Sequence, residues 1–316
     1  MDKLVYLTYP ALLIIILAGS KWCGRGTWNE EFMSLKQTKV LQGLMAVCIM
    51  LHHIAQETCA SWQNYPLFPG LEPFVPIGYF FVAFFIFCSG YGLFKSYKAK
   101  PNYLKGFFGK RILPLILAFY STEWIFLIAR ILMKEKMDRT KLVYYIIGWL
   151  MANPNTWYVI AMPFFYLCFY LCFRFLKKDW MKIAGVILFT FLYTYLGTWL
   201  DHPEYWMKGE WWYNSVHMFW IGILFARYEK SILPKVKKYY WLLLPLTLVG
   251  TIGWYWISEW AQAVFSHYGE YNRRLLHWLV VQNRWKCLFT QMMASLHFVL
   301  AVLFLNLKLK IGNRFL

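Results

Sequence analysis

Apolar residues fall in long, nearly uninterrupted runs along this chain, without strand-like alternation and without the one-sided stripe of a soluble helix. Nine runs, 4–19, 40–55, 74–94, 112–129, 156–173, 183–200, 211–226, 239–258 and 288–307, approach the roughly 20 residues that a helix needs to cross a bilayer. A tenth stretch, 142–151, is too short to cross. It lies between a charged loop and Asn153-Pro154-Asn155, so it reads as an interfacial or re-entrant helix. The pattern predicts an all-α polytopic transmembrane bundle of about nine spans plus that short helix, with no internal repeat and no long linker. Residues 1–20 resemble a signal peptide, with an apolar run ending in Leu17-Ala18-Gly19-Ser20. However, Asp2 stands beside the single Lys3 and Pro10 interrupts the apolar run, so an uncleaved first span is expected.

Composition agrees. Hydrophobic residues make up 60% and charged residues 15% of the chain, against about half and a quarter in soluble domains. The 18 Trp, 23 Tyr and 27 Phe supply aromatic belts for both interfaces. The net charge of +18 does not indicate a nucleic-acid binder, because the bases sit in membrane-flanking segments as the positive-inside rule requires. Segment 95–111 holds six bases and no acid, and 174–182, 227–238 and the tail are also basic. Segments 56–73 and 201–210 are net acidic. With the basic loops inside, the N-terminus is outside and His52 and His53 lie near the outer end of their helix. Segments 130–141 and 259–286 are exceptions, basic but placed outside. The seven cysteines mostly lie in or beside apolar runs and read as core residues, and no metal site is expected.

The candidate chemistry starts at His52-His53, which close an apolar helix whose interior carries only Gln42 as a strongly polar side chain. Ionisable groups inside a span are costly and mark function by default. Imidazole can also take and return a proton near neutral pH, as acyl or phosphoryl transfer requires. Gln42 and His53 are 11 residues apart, about three turns and roughly 16 Å along one helix face, with Lys39 a turn earlier near the same stripe. A snorkelling lysine, a packing glutamine and an interfacial histidine form the plainer alternative. The run Gly78 to Gly92 ends in Ser89-Gly90-Tyr91-Gly92, where a backbone or ligand can approach closely. Arg111, three residues before Pro114 at the end of the basic loop, suits phosphate recognition, although by itself the segment reads first as an ordinary positive-inside loop. Glu123, in the middle of its span, is expected to face the interior with a partner, in a structural or a functional role. His217 and His297 lie within spans and can pair across helices. His202, His267 and His277 are loop or interfacial residues, and Arg273-Arg274 reads as a headgroup anchor.

Taken in order, LQGLMAVCIMLHH, FFVAFFIFCSGYG, FFGKRILP and NTWYVIAMPFF resemble the acyltransferase type 3 family over about residues 36–310. Each piece is weak alone; the ordered combination is specific. His53 matches the family's histidine, while Gln42 stands where the family has an arginine. Ser89-Gly90-Tyr91 matches its SGY, and Trp157 the aromatic of its W-[FY]-[LIV] element. Arg111 matches the second arginine of its RxxR, while Phe108 stands at the first. The family usually continues beyond a segment like Lys310–Leu316 into further helices. The chain is therefore expected to consist of an additional N-terminal helix and loop, 1–35, and an acyltransferase-like membrane domain, 36–316, lacking the family's last helices.

The resemblance implies a multi-pass protein of a bacterial cytoplasmic membrane that moves an acyl group, acetyl by expectation, from acetyl-CoA (acyl-CoA) to a hydroxyl of a cell-surface glycan, lipid or exported metabolite. His53 or His52 would be the base. Lys95, Lys110 and Arg111, with Lys39 and Gln42, would form the donor side, and Glu72 would orient the histidine. Ser89, Tyr91 and Trp157 are candidates to steady the oxyanion. Membrane lipid and a hydroxyl-bearing glycan or lipid are the expected partners, without nucleic acid; the residues do not fix an oligomeric state. The alternatives are a transporter or flippase for a polar metabolite and a catalytically degenerate homologue that binds a partner.

Overall fold

The computed structural model of the chain describes residues 2–63, 68–200, 206–207, 209–265 and 276–312. Ten α-helices follow in order: α1 (Thr8–Leu17), α2 (Leu35–Thr58), α3 (Gly78–Ala99), α4 (Leu113–Leu132), α5 (Arg139–Ile146), α6 (Trp157–Phe175), α7 (Asp179–Trp199), α8 (Met218–Lys238), α9 (Tyr240–Val264) and α10 (His277–Lys308). Two-residue strands β1 (Lys21–Trp22) and β2 (Leu309–Lys310) pair antiparallel. The all-α expectation holds. Among the described residues, seven helices are long and apolar enough to cross a membrane, rather than nine.

Two of the nine expected runs fall short of that length and composition for local reasons. The first apolar helix extends only over Leu4–Leu17, short of a bilayer's thickness. In the run 211–226, a turn at Glu210–Trp212 and a buried polar pair, Asn214 and Ser215, delay α8 to Met218, and its second half then runs into the basic stretch ending at Lys238. Stretch 142–151 holds the last five residues of the eight-residue α5 and a turn at Gly148, whose positive φ of 71° suits glycine. Tyr120 and Trp124 donate to the carbonyls of Ile147 and Ile146, and Leu127, Tyr145 and Ala152 form a small core beneath.

The chain forms two compact units. The first comprises Met1–Ser89, Tyr228–Val264 and Phe289–Leu316; the second comprises Gly90–Arg227 and Phe265–Leu288. In the first unit, the loop between α1 and α2 is knitted to the end of α10. Asn29 Nδ2 donates to the Asn306 carbonyl, Asn306 Nδ2 to the Phe32 carbonyl and Gln37 Nε2 to the Ile311 carbonyl. Lys237, at the end of α8, pairs with Glu30, and Tyr240, at the start of α9, meets Trp28 edge-on. The start of α2, the start of α9 and the end of α10 therefore share one end of this unit, and it is the basic end. Ser34 caps α2 there, accepting from Gln37 N.

In the second unit, α6 packs against α4 and α7. Helix α4 shows how a lipid-facing helix divides its surface. Phe119, Glu123 and Leu127, spaced by four, are buried, whereas Leu117, Ile125, Ile128 and Leu132 are exposed. Gly90 closes the contact between α3 and α8, where a Cβ would run into the Phe219 carbonyl.

Candidate active site

Helix α2 is unbroken from Leu35 to Thr58, so the spacing of Lys39, Gln42 and His53 keeps its meaning. Lys39 is exposed, and Gln42 and His53 are half-buried. His53 lines a groove of about 660 Å³ that runs along the face of Ala46, Ile49, Met50, Ile54, Glu57 and Thr58. Its Nδ1 lies 3.1 Å from Gln56 Oε1. The two imidazoles are neighbours, with centroids 4.9 Å apart and planes tilted by 51°.

His52 is held differently. Its Nδ1 is 2.8 Å from the Phe74 carbonyl oxygen, which can only accept. Nδ1 therefore carries the proton and Nε2 keeps its lone pair. The ring lies over Gly78, the first residue of α3, where any Cβ would strike the imidazole. Glu72, expected to orient the histidine, lies in the same loop. Its carboxylate accepts from Gly70 N at 2.8 Å, so it shapes the loop, and the Phe74 carbonyl orients the histidine. Tyr9, from α1, donates to the Gly70 carbonyl at 2.7 Å and stacks on Phe74. Sequence reasoning passed over Phe74, Gly78 and Tyr9. A backbone carbonyl leaves no trace in residue identity, although a glycine opening an apolar helix was a usable signal.

The second unit contains the basic loop. A pocket of about 790 Å³ is lined by Lys98, Lys100, Lys105 and Arg174, with Tyr97, Tyr103 and Tyr170 among its walls. Lys98 is partly neutralised by Asp179 at 2.7 Å, and the other three bases leave the pocket strongly cationic. Of the residues expected on the donor side, Arg111 lies over the Tyr103 ring at 5.8 Å and Lys110 lies near Gly106; both flank the pocket without lining it. Lys95 lies over Tyr91, outside the lining. Lys39 and Gln42 belong to the other unit. Spacing to proline drew attention to Arg111. Arg174 is 63 positions further along the chain, and only the packing of α6 beside the loop brings it in.

Glu123 is fully buried. It accepts from the Ala152 backbone N–H, and from the Thr156 hydroxyl at 2.5 Å. Arg130, two turns along, donates from Nε to the Ala152 carbonyl. Together they clamp both sides of the turn that leads into α6. Trp157, the first residue of α6, packs on Trp212, and Tyr91 is buried against Phe225. Ser89 is half-buried near the end of α3. His217 bridges the Thr194 hydroxyl and the Trp220 indole N–H, and His297 Nδ1 bonds the Met293 carbonyl one turn back. His277 meets Trp199 edge-on. His202, His267, Arg273 and Arg274 lie outside the described residues.

An acyltransferase domain family, type 3, matches residues 37–312, nearly the whole chain. The chain belongs to the acyltransferase type 3 family. Neither the curated proteins nor the solved structures gave a match. With seven apolar helices of spanning length, this acyltransferase-family protein is an integral membrane protein. The family match takes in α2 from Gln37 onward with its histidines, the basic loop and Arg174. It begins after α1 and most of the loop that α1 feeds.

Proposed function

We propose that this chain transfers an acyl group, acetyl in the simplest case, from acyl-CoA to a hydroxyl of a glycan, lipid or exported metabolite, with His53 as the base. The observation that carries the proposal is the paired histidine site. Two adjacent imidazoles each turn Nδ1 toward an oxygen acceptor and so keep Nε2 as a proton acceptor, and His53 opens onto a groove. In the reaction, His53 Nε2 takes the acceptor hydroxyl's proton. The oxygen attacks the thioester carbonyl, an ester C–O bond forms, the C–S bond breaks, and the thiolate leaves and is protonated. His52, fixed by Phe74, holds its neighbour's position. The cationic, tyrosine-walled pocket suits a phosphorylated nucleotide: Lys100, Lys105 and Arg174 would meet phosphates, and a tyrosine ring would stack on the base. Arg111 would steady Tyr103 at its rim.

The test uses membranes containing the chain, acetyl-CoA labelled in the acetyl group, and a glycan and lipid extract. Wild type should transfer label, and His53→Ala should transfer it about 10² to 10⁴ times more slowly. Equal label with both proteins would remove His53 as the base. Substrate uptake without label transfer would point to a transporter instead.

A further inference from the structure

At the basic end of the first unit, a pocket of about 510 Å³ is lined by Trp22, Cys23, Gly24, Arg25, Trp241 and Lys308. Lys308 is only 2% exposed, and its ammonium is held by two neutral carbonyls, Gly24 at 2.9 Å and Thr27 at 2.6 Å, with the Trp28 ring 4.0 Å below. Among the described residues no carboxylate pairs with it, so its full charge remains in the pocket wall. The two nearby acids are already engaged, Glu30 by Lys237 and Glu31 by Lys310, both at 2.6 Å. Exposed Arg25 adds a second cation, and the described residues give it no ion-pair partner. A site with two uncompensated cations attracts an anion.

The aromatic residues indicate what kind of anion. Trp22 is 58% and Trp241 70% exposed, and Trp241 is the second residue of a membrane-spanning helix, followed by the apolar run Leu242–Leu244. Tryptophan at the end of a span sits at headgroup depth. A small inorganic anion has no use for two exposed indoles there, whereas a phospholipid presents a phosphate and apolar glycerol ester and chain segments together. By the positive-inside rule this end faces the cytosolic leaflet, whose anionic lipids are drawn to bases beside spans.

We infer that this pocket is a binding site for an anionic phospholipid of the cytosolic leaflet, with the phosphate between Arg25 and Lys308 and the acyl-glycerol portion against Trp22 and Trp241. The site shares no residue with those assigned to acyl transfer and stands whether or not that reading holds. A lipid bound there would staple the loop between α1 and α2 to α9 and α10, which already meet at Trp28 and Lys308.

The experiment is native mass spectrometry of the full chain in neutral detergent after addition of phosphatidylglycerol or phosphatidylcholine. Wild type should retain phosphatidylglycerol preferentially. Arg25→Gln should weaken that retention about fivefold, the worth of one basic residue at a membrane surface. Lys136→Gln, which removes an exposed lysine elsewhere, should leave it unchanged. Trp241→Leu should weaken retention of the same lipid; if that variant does not fold, Arg25→Gln decides alone, since its exposed side chain supports nothing. Excess inorganic phosphate should not displace the lipid. Equal retention by wild type and Arg25→Gln, equal binding of phosphatidylcholine, or displacement by inorganic phosphate would each overturn the inference, the last by assigning the pocket to a soluble anion.

Discussion

A carboxyl group in the middle of an apolar helix needs partners, because burying it unpaired costs several kcal/mol. Glu123 has them: the Ala152 N–H, the Thr156 hydroxyl and, nearby, the Arg130 side chain that takes the Ala152 carbonyl. Its place in the span was legible, since mid-span acids turn inward, but which partners it met was not, because they lie 29 and 33 residues along the chain. Glu123→Ala is expected to lower unfolding stability by about 2–3 kcal/mol, the cost of orphaning buried donors, and Thr156→Val by about 1 kcal/mol. Thermal unfolding in detergent reads both, and an unchanged transition for Glu123→Ala would show that the clamp carries no stability. At the histidines, Gly78→Ala is expected to displace the His52 ring and reduce acyl transfer at least tenfold while leaving the protein folded. Activity measured beside the thermal transition separates that outcome from simple unfolding.

Among the elements, sequence periodicity located most helices well because bilayer thickness imposes a length that apolar runs reveal directly. It misplaced where one of those helices begins. Residues 211–217 are apolar because they are buried, with Trp212, Tyr213 and Val216 nearly inaccessible, and Asn214 and Ser215 interrupt the helix. The loop between α3 and α4 was recognised as basic, but not which of its cations face one pocket. That was set by the backbone of 99–106, with positive φ at Asn102 and Gly106, and by α6 bringing Tyr170 and Arg174 alongside. Replacing Lys100 and Lys105 together with alanine is expected to raise KM for acyl-CoA about tenfold with kcat little changed, and to flatten the dependence of KM on salt. Initial rates at two ionic strengths give both, and a fall in kcat at unchanged KM would remove the loop from donor binding.

For the whole molecule, the distribution of loop charge predicts which ends face the cytosol, and the first unit agrees internally, gathering the start of α2, the start of α9 and the end of α10 at one basic end. Two added cysteines at exposed positions test it: Lys105→Cys should react with an impermeant maleimide only from the cytosolic side and Trp62→Cys only from outside, above the background of the seven native cysteines. The opposite pattern would invert the topology.

The sequence by itself determined the class of the molecule: helical, membrane-spanning, basic on one side, with a histidine pair ending one span and the ordered motifs of an acyltransferase family. Each of these follows from composition and from short-range spacing, which the chain carries in plain form. The tertiary structure alone decided which groups touch. The Phe74 carbonyl fixes the His52 tautomer, Glu123 caps a turn, Arg174 joins a loop far earlier in the chain, and Lys308 reaches back to Gly24 and Thr27. Those contacts join residues far apart in the chain, and several run through backbone atoms that every residue shares, so residue identity carries no record of them.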